Sequence, residues 1–267
     1  VSVTGAKPVF VKTEKTKQFE PNFNDLKEKI NNKTKGIIIN SPSNPTGGVW
    51  SDEAIKETLQ ICKQHDLWVF SDECYEQLTY NRPFKSIACF DRKNKKIITF
   101  QSCSKTYAMT GWRIGYLAGD KNMVANIGKL QGQSTSCPNS IAQHAAVEAL
   151  SGQQKTVGQM KKIFEKRRNL ILNLIQEMSN VECSTPNGAF YVFPNFQYYM
   201  GSKTKKGKTI KNSKDLCLYF LSETGVVSVD GDSFGAPNYI RFSYATSEET
   251  IKKAMDLILN ALKKLSF

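Results

Sequence analysis

Histidine is nearly absent: His65 and His144 are the only two in 267 residues. That argues against a multi-histidine metal centre, and no metal ligand set is expected. No stretch reaches the roughly 20 apolar residues that a membrane-spanning helix needs. Val1-Ser2-Val3-Thr4-Gly5 offers no basic segment leading into an apolar run, so no secretory signal is expected. The chain also lacks an initiator methionine, which fits processing or a start inside a longer protein. Its seven cysteines are odd in number and widely spaced, with no C-x-x-C pair. This argues against a disulfide framework or a zinc site and fits a reducing, cytoplasmic setting. Acidic residues are in deficit: 24 Asp and Glu against 37 Lys and Arg leave a formal charge of +13. Nucleic acid is one partner for such a charge. The lysines are scattered, however, and only Lys203, Lys205, Lys206, Lys208 and Lys211 form a dense run, in a Gly/Ser/Thr-rich stretch. A solvated lysine surface is expected, with no nucleic-acid or membrane partner.

What is present reads as globular: 40% of residues are hydrophobic and 10% aromatic. The length suffices for one large α/β domain or for a large and a small one. In the first half, short β-branched runs alternate with amphipathic stretches. Strands are predicted at Gly36–Asn40, Leu67–Phe70, Ile97–Phe100 and Ile114–Ala118. Ser51 is placed to cap a helix carrying Ile55, Leu59 and Cys62 on one side. Residues 121–150 read as mostly helical. Such alternation predicts a mainly parallel sheet covered by helices. The second half has a different pattern. A long helix is predicted over Lys155–Met178, a strand at Ala189–Phe193 and a helix near Asp215–Glu223. Strands follow at Val226–Val229 and Tyr239–Tyr244, then a last helix from Thr246, whose spacing to Glu249 suits a capping box. The expected architecture is α/β: a large domain over 1–160 and a smaller α+β domain over 161–267.

Three polar clusters fall at or just past predicted strand ends, where ligands bind in open α/β sheets. The first is Ser41-Pro42-Ser43-Asn44-Pro45-Thr46-Gly47; taken alone it could be an ordinary Asn-Pro turn. The second, Ser71-Asp72-Glu73-Cys74-Tyr75, puts an acid at the end of an apolar strand, where it should meet a cation or several donors. A structural lysine or arginine would serve equally, and Tyr75 alone would more often be a core residue. The third is Ser102-Cys103-Ser104-Lys105, followed by Gly111-Trp112-Arg113-Ile114-Gly115. Lys105 follows two hydroxyl residues, and the Arg113 fork could hold a phosphate.

In this order the clusters resemble the class I aminotransferases of fold type I that use pyridoxal 5′-phosphate (PLP), especially the aspartate aminotransferase group. The likeness continues through Asn187-Gly188-Ala189-Phe190-Tyr191 and Tyr239-Ile240-Arg241-Phe242-Ser243-Tyr244. It implies that Lys105 is the Schiff-base lysine and that Asp72 pairs with the pyridinium nitrogen. Tyr75 and Asn44 would hydrogen-bond the ring's phenolic oxygen, while Ser102, Ser104 and Arg113 would hold the cofactor phosphate. Arg241, with Asn44 nearby, would bind the substrate's α-carboxylate, and the Asn44–Pro45 bond would be cis. The implied reaction exchanges an amino group between L-aspartate and 2-oxoglutarate, in a homodimer. Aromatic, prephenate or alanine transamination, or a non-catalytic module of the same fold, are the alternatives. The resemblance starts partway into the family's large domain, with Val1-Ser2-Val3 like the strand after the ring-stacking residue. It therefore implies a chain without the phosphate-cradling turn, the aromatic stacker and the N-terminal arm, active as the complete protein but binding PLP weakly or not at all as it stands.

Overall fold

The structure, a computed structural model, describes residues 1–81 and 83–267. It divides into two compact units: Val1–Pro42 with Gly48–Val157, and Ser43–Gly47 with Gly158–Phe267. The five-residue segment carrying Asn44 thus belongs to the second unit, which differs from a simple division at residue 160.

The first unit opens with a small antiparallel pair, β1 (Thr13–Glu14) and β2 (Glu20–Pro21), and helix α1 (Phe23–Lys29). Its main sheet contains β3 (Gly36–Asn40), β4 (Trp68–Asp72), β5 (Ile97–Ser102) and β6 (Gly115–Ala118), in that spatial order. The β3–β4 and β4–β5 pairs are parallel, whereas β6 runs antiparallel to β5. β5 buries Ile97, Ile98 and Thr99 in succession, the pattern of a strand covered on both faces. Helix α2 (Asp52–Gln64) starts where Ser51 accepts from the Ala54 N–H, and its acidic first turn suits the helix dipole. Its Ile55, Leu59 and Cys62 pack with Ile39, Val69 and Ile97. Each such aliphatic side chain contributes roughly 1.5–3 kcal/mol on burial. Helices α3 (Cys103–Thr106), α4 (Lys121–Ser134) and α5 (Ser140–Ser151) complete the unit.

Helix α6 (Lys155–Gln176) leads into the second unit, which holds β7 (Tyr191–Val192), α7 (Ser213–Thr224), β8 (Val229–Asp230), β9 (Ile240–Ser243) and α8 (Glu248–Leu262). The three strands form an antiparallel sheet in the order β7-β9-β8. Phe196, Phe220, Phe242 and Tyr244 supply a buried aromatic core, and α8 turns Ile251, Met255, Ile258 and Leu262 inward at helical spacing.

Several sequence expectations shift at element ends. Val1–Val3 is not a strand: Ser2–Thr4 forms a 3-10 turn closed by Gly5 in the left-handed region. The expected strand at Val226–Val229 shrinks to Val229–Asp230, because the chain leaves α7 through left-handed Gly225 and Val226 N–H turns back to Thr224 Oγ1. The strand at Ala189–Phe193 narrows to two residues, since Ala189 has φ +55°. The cap of α8 is Ser247, which accepts from the Thr250 N–H, and not Thr246. The strand predicted at Ile114–Ala118 begins at Gly115, after Arg113 in the left-handed region at φ +53°. Among the described residues, no helix is long and apolar enough to cross a membrane.

Candidate functional site

In the first unit the parallel register aligns strand ends: Asn40 lies beside Asp72, and Asp72 beside Phe100. Beyond these ends opens a cavity of about 530 Å³ whose wall includes Asp72, Ser102, Ser104, Lys105 and Arg113. The sequence-predicted cofactor residues of this unit are thus brought together, with one exception. Tyr75 does not line that wall; it is buried, with the Lys105 ammonium 6.0 Å from its ring centroid.

Local geometry explains each position. Asp72 is half-buried, and its Oδ1 accepts from the Cys74 N–H at 3.2 Å. That bond closes an Asx-type turn and fixes the carboxylate's direction. Ser102 caps α3 by accepting from the Ser104 N–H at 3.1 Å, which leaves a hydroxyl proton for a second partner. This capped turn carries Lys105. β6 pairs Gly115 with Ser102, and Cys103 N–H donates to Ile114 O. The antiparallel return therefore brings Arg113 back to the turn that carries Ser104 and Lys105, and its Nη1 donates to Thr110 O at 3.0 Å.

The neighbouring thiol reports the field in this cavity. Burial first, then the charge and hydrogen bond of Asp72, push Cys74 up to about 12, while Lys105 acts in the opposite direction. Burial also pushes Cys62 and Cys217 up to about 11. Cys89 and Cys137 are exposed. Iodoacetamide at mildly alkaline pH is expected to modify Cys89 and Cys137 first. Cys74 should react at least about 100-fold more slowly, because the thiolate is the nucleophile. Peptide mapping over time checks this, and equal rates at Cys74 and Cys89 would refute it.

The second unit holds an arginine between an amide and two aromatic rings. Arg241, on β9, donates from Nη1 to Asn44 Oδ1 at 2.7 Å. Its guanidinium lies 4.6 Å from the Tyr191 ring centroid and 5.3 Å from that of Phe234. Stacking and one fixed hydrogen bond hold the fork in a defined plane, ready for a bidentate anion. The Asn44 segment is tied down by its neighbours: Asn187 and Gly188 N–H both donate to Gly47 O, at 2.9 and 2.8 Å. Gly47 has φ +67°, and a Cβ there would collide with Pro186 and the Gly188 carbonyl. Both Ser41–Pro42 and Asn44–Pro45 are cis. Sequence reading matched Asn187–Tyr191 as a motif but missed Tyr191 and Phe234 as partners of Arg241. The available signal was an aromatic, Tyr191, inside the predicted strand Ala189–Phe193; the structure pairs that strand with the one bearing the arginine.

Taken by itself, the first unit combines an amine, a carboxylate, three hydroxyls and a guanidinium in one cavity. That set fits a small molecule bearing an aldehyde, a basic heterocycle and a phosphate, which is the chemistry of PLP.

Known proteins agree. The family model for aminotransferases of class I and II matches residues 1–258. A "Probable aspartate/prephenate aminotransferase" of Rhizobium leguminosarum bv. phaseoli is 39% identical over 258 residues, which is 95% of this chain and 64% of that protein. The protein of the same description from Rickettsia bellii is 43% identical over 251 residues, 92% of this chain and 63% of that one. The crystal structure of the aspartate aminotransferase from Rhizobium meliloti superposes with a TM-score of 0.93 at 36% identity, covering 97% of this chain and 66% of that one. The chain thus spans slightly less than two thirds of each of these relatives. Family model, sequence relatives and superposed structure coincide with the two constellations above: this chain belongs to the class I and II aminotransferases and has their fold type I α/β architecture.

Proposed function

We propose that this chain carries the cofactor-holding and substrate-reading residues of a PLP-dependent aminotransferase that exchanges an amino group between L-aspartate and 2-oxoglutarate, as a homodimer. The observation that carries this reading is that Lys105 and Asp72 line the same cavity, together with Ser102, Ser104 and Arg113.

When bound, PLP supplies an aldehyde and an electron sink for charge developing at the substrate's α-carbon. The chain's own residues do the rest. Lys105 would supply the primary amine that binds the cofactor's aldehyde, and its Nζ would take and return the α-proton as a general base. Asp72 sets a fixed negative charge where a ring nitrogen must keep its proton. Ser102, Ser104 and Arg113 offer hydroxyl and guanidinium donors to a phosphate. Tyr75 and Asn44 are the assigned donors to the phenolic oxygen. Arg241, oriented by Asn44, Tyr191 and Phe234, grips the substrate carboxylate and thereby fixes the direction of the Cα–H bond.

A second substrate reading has specific support: the Rhizobium leguminosarum and Rickettsia bellii relatives carry names that join prephenate to aspartate. A two-substrate exchange assay with aspartate, prephenate's amino product, phenylalanine and alanine as donors separates these readings. The cofactor reading is tested by adding PLP, reducing with borohydride and mapping peptides. The expected product is one pyridoxyl group on Lys105. Label spread over surface lysines with no preference for Lys105 would contradict the reading and favour a non-catalytic module.

A further inference from the structure

A second acid lies directly behind Asp72. Along β4 the side chains alternate, so Val69, Ser71 and then Glu73 are buried on one face, while Trp68, Phe70 and Asp72 are half-buried on the other. Glu73 is 0% exposed. Its Oε1 accepts from Ser71 Oγ, Ser86 Oγ and the Ile87 N–H, each at 3.0 Å, and its Oε2 accepts from Gln101 Nε2 at 3.1 Å. Its backbone N–H donates to the carbonyl of Phe100, the residue paired with Asp72, at 2.8 Å. Burial holds the carboxyl above its ordinary value, and the four donors act against that.

Packing does not account for an acid here. A hydrophobic residue of similar volume would fill the space without the desolvation cost of a carboxylate. What an aliphatic side chain cannot do is gather four donors from three separate pieces of chain: Ser71 on β4, the Ser86–Ile87 segment, and Gln101 on β5. Gln101 also forms part of the cavity wall that includes Asp72 and Lys105. Hydrogen-bonded partners behind a functional group commonly fix its orientation.

We propose that Glu73 is a positioning residue for the Asp72 side of the cavity: its four hydrogen bonds lock the end of β4 so that Asp72 points into the cavity, and they seat Gln101 in the wall. Its effect on the cofactor rests on the function proposed above, whereas its effect on Asp72 does not.

The test compares Glu73→Ala and Glu73→Gln with Leu59→Ala, a core variant remote from the cavity wall that serves as the control for stability loss alone. Two readouts are needed. One is hydrogen exchange of the Cys74 amide, which donates to Asp72 and reports on its orientation without any cofactor. The other is the dissociation constant for PLP. Glu73→Ala is expected to lower Cys74 protection and to weaken PLP binding by about 10-fold or more each. Glu73→Gln, which keeps an acceptor at the Oε1 position, recovers most of both, and Leu59→Ala changes neither beyond its global stability. Should Glu73→Ala fail to fold, Ser86→Ala removes one of the four donors and shifts both readouts in the same direction. Unchanged Cys74 protection in the folded Glu73 or Ser86 variants would overturn the proposal, as would equal weakening of PLP by Leu59→Ala. Intact Glu73 dependence at Cys74 with no PLP uptake by the parent chain would support the positioning role and count against the cofactor reading alone.

Discussion

Lys105→Ala is expected to lower amino-transfer turnover by about 10³-fold or more. General-base catalysis by a positioned side chain contributes about 10²- to 10⁴-fold by itself, and alanine also removes the amine that, alone among the described residues of the cavity wall, could be covalently joined to the cofactor. Asp72, Ser102, Ser104 and Arg113 remain, so PLP should still be held noncovalently, with its absorbance that of the free aldehyde. Single-turnover kinetics with aspartate, read alongside the visible spectrum, would show the chemistry lost before the binding. Turnover within tenfold of the parent would mean that another residue performs the proton transfer.

Arg241→Lys is expected to act on binding first. A lysine keeps the charge but loses the planar fork. It also loses the geometry set by Asn44 Oδ1 and by the stacked Tyr191 and Phe234 rings. Hydrogen bonds to charged groups are worth about 1.5–3 kcal/mol, and about 1.4 kcal/mol corresponds to tenfold in affinity. KM for the amino donor should therefore rise about 10- to 100-fold, with a smaller change in kcat. A KM equal to that of the parent would place the carboxylate elsewhere.

Much of the first unit's frame could be read directly from the sequence. β-branched runs identified β3 and β5, and Ser51 with two acids after it identified the start of α2. These signals are local: side-chain alternation, capping and helix dipole act within a few residues. The second unit was harder because its short strands are defined by partners far along the chain. Tyr191 pairs with Ser243 and Val229 with Arg241, so β7 and β8 end where β9 stops offering partners. The attachment of Ser43–Gly47 to the second unit was invisible for the same reason, since it depends on the Asn187 and Gly188 amides meeting Gly47 O. Polar residues after strand ends were conspicuous as types, and Lys105, Asp72 and Arg113 drew attention at once. Their supports did not. Tyr191 lies in a matched motif with no role implied for it, and Glu73 stands only as the residue after Asp72 in the second cluster. The missed clue was parity: two consecutive acids at the end of a strand cannot both face the same side, so one must enter the core and find donors there.

Everything proposed for the chemistry depends on Asp72 and Lys105 acting on the same small molecule. The most direct measurement is ¹⁵N NMR of PLP labelled at its ring nitrogen, added to the parent chain and to Asp72→Asn near neutral pH, followed by borohydride reduction and peptide mapping. The predicted result is a protonated ring nitrogen in the parent and an unprotonated one in Asp72→Asn, with the pyridoxyl group on Lys105 in both. An identical nitrogen shift in the two proteins, or label fixed at any residue other than Lys105, would contradict it.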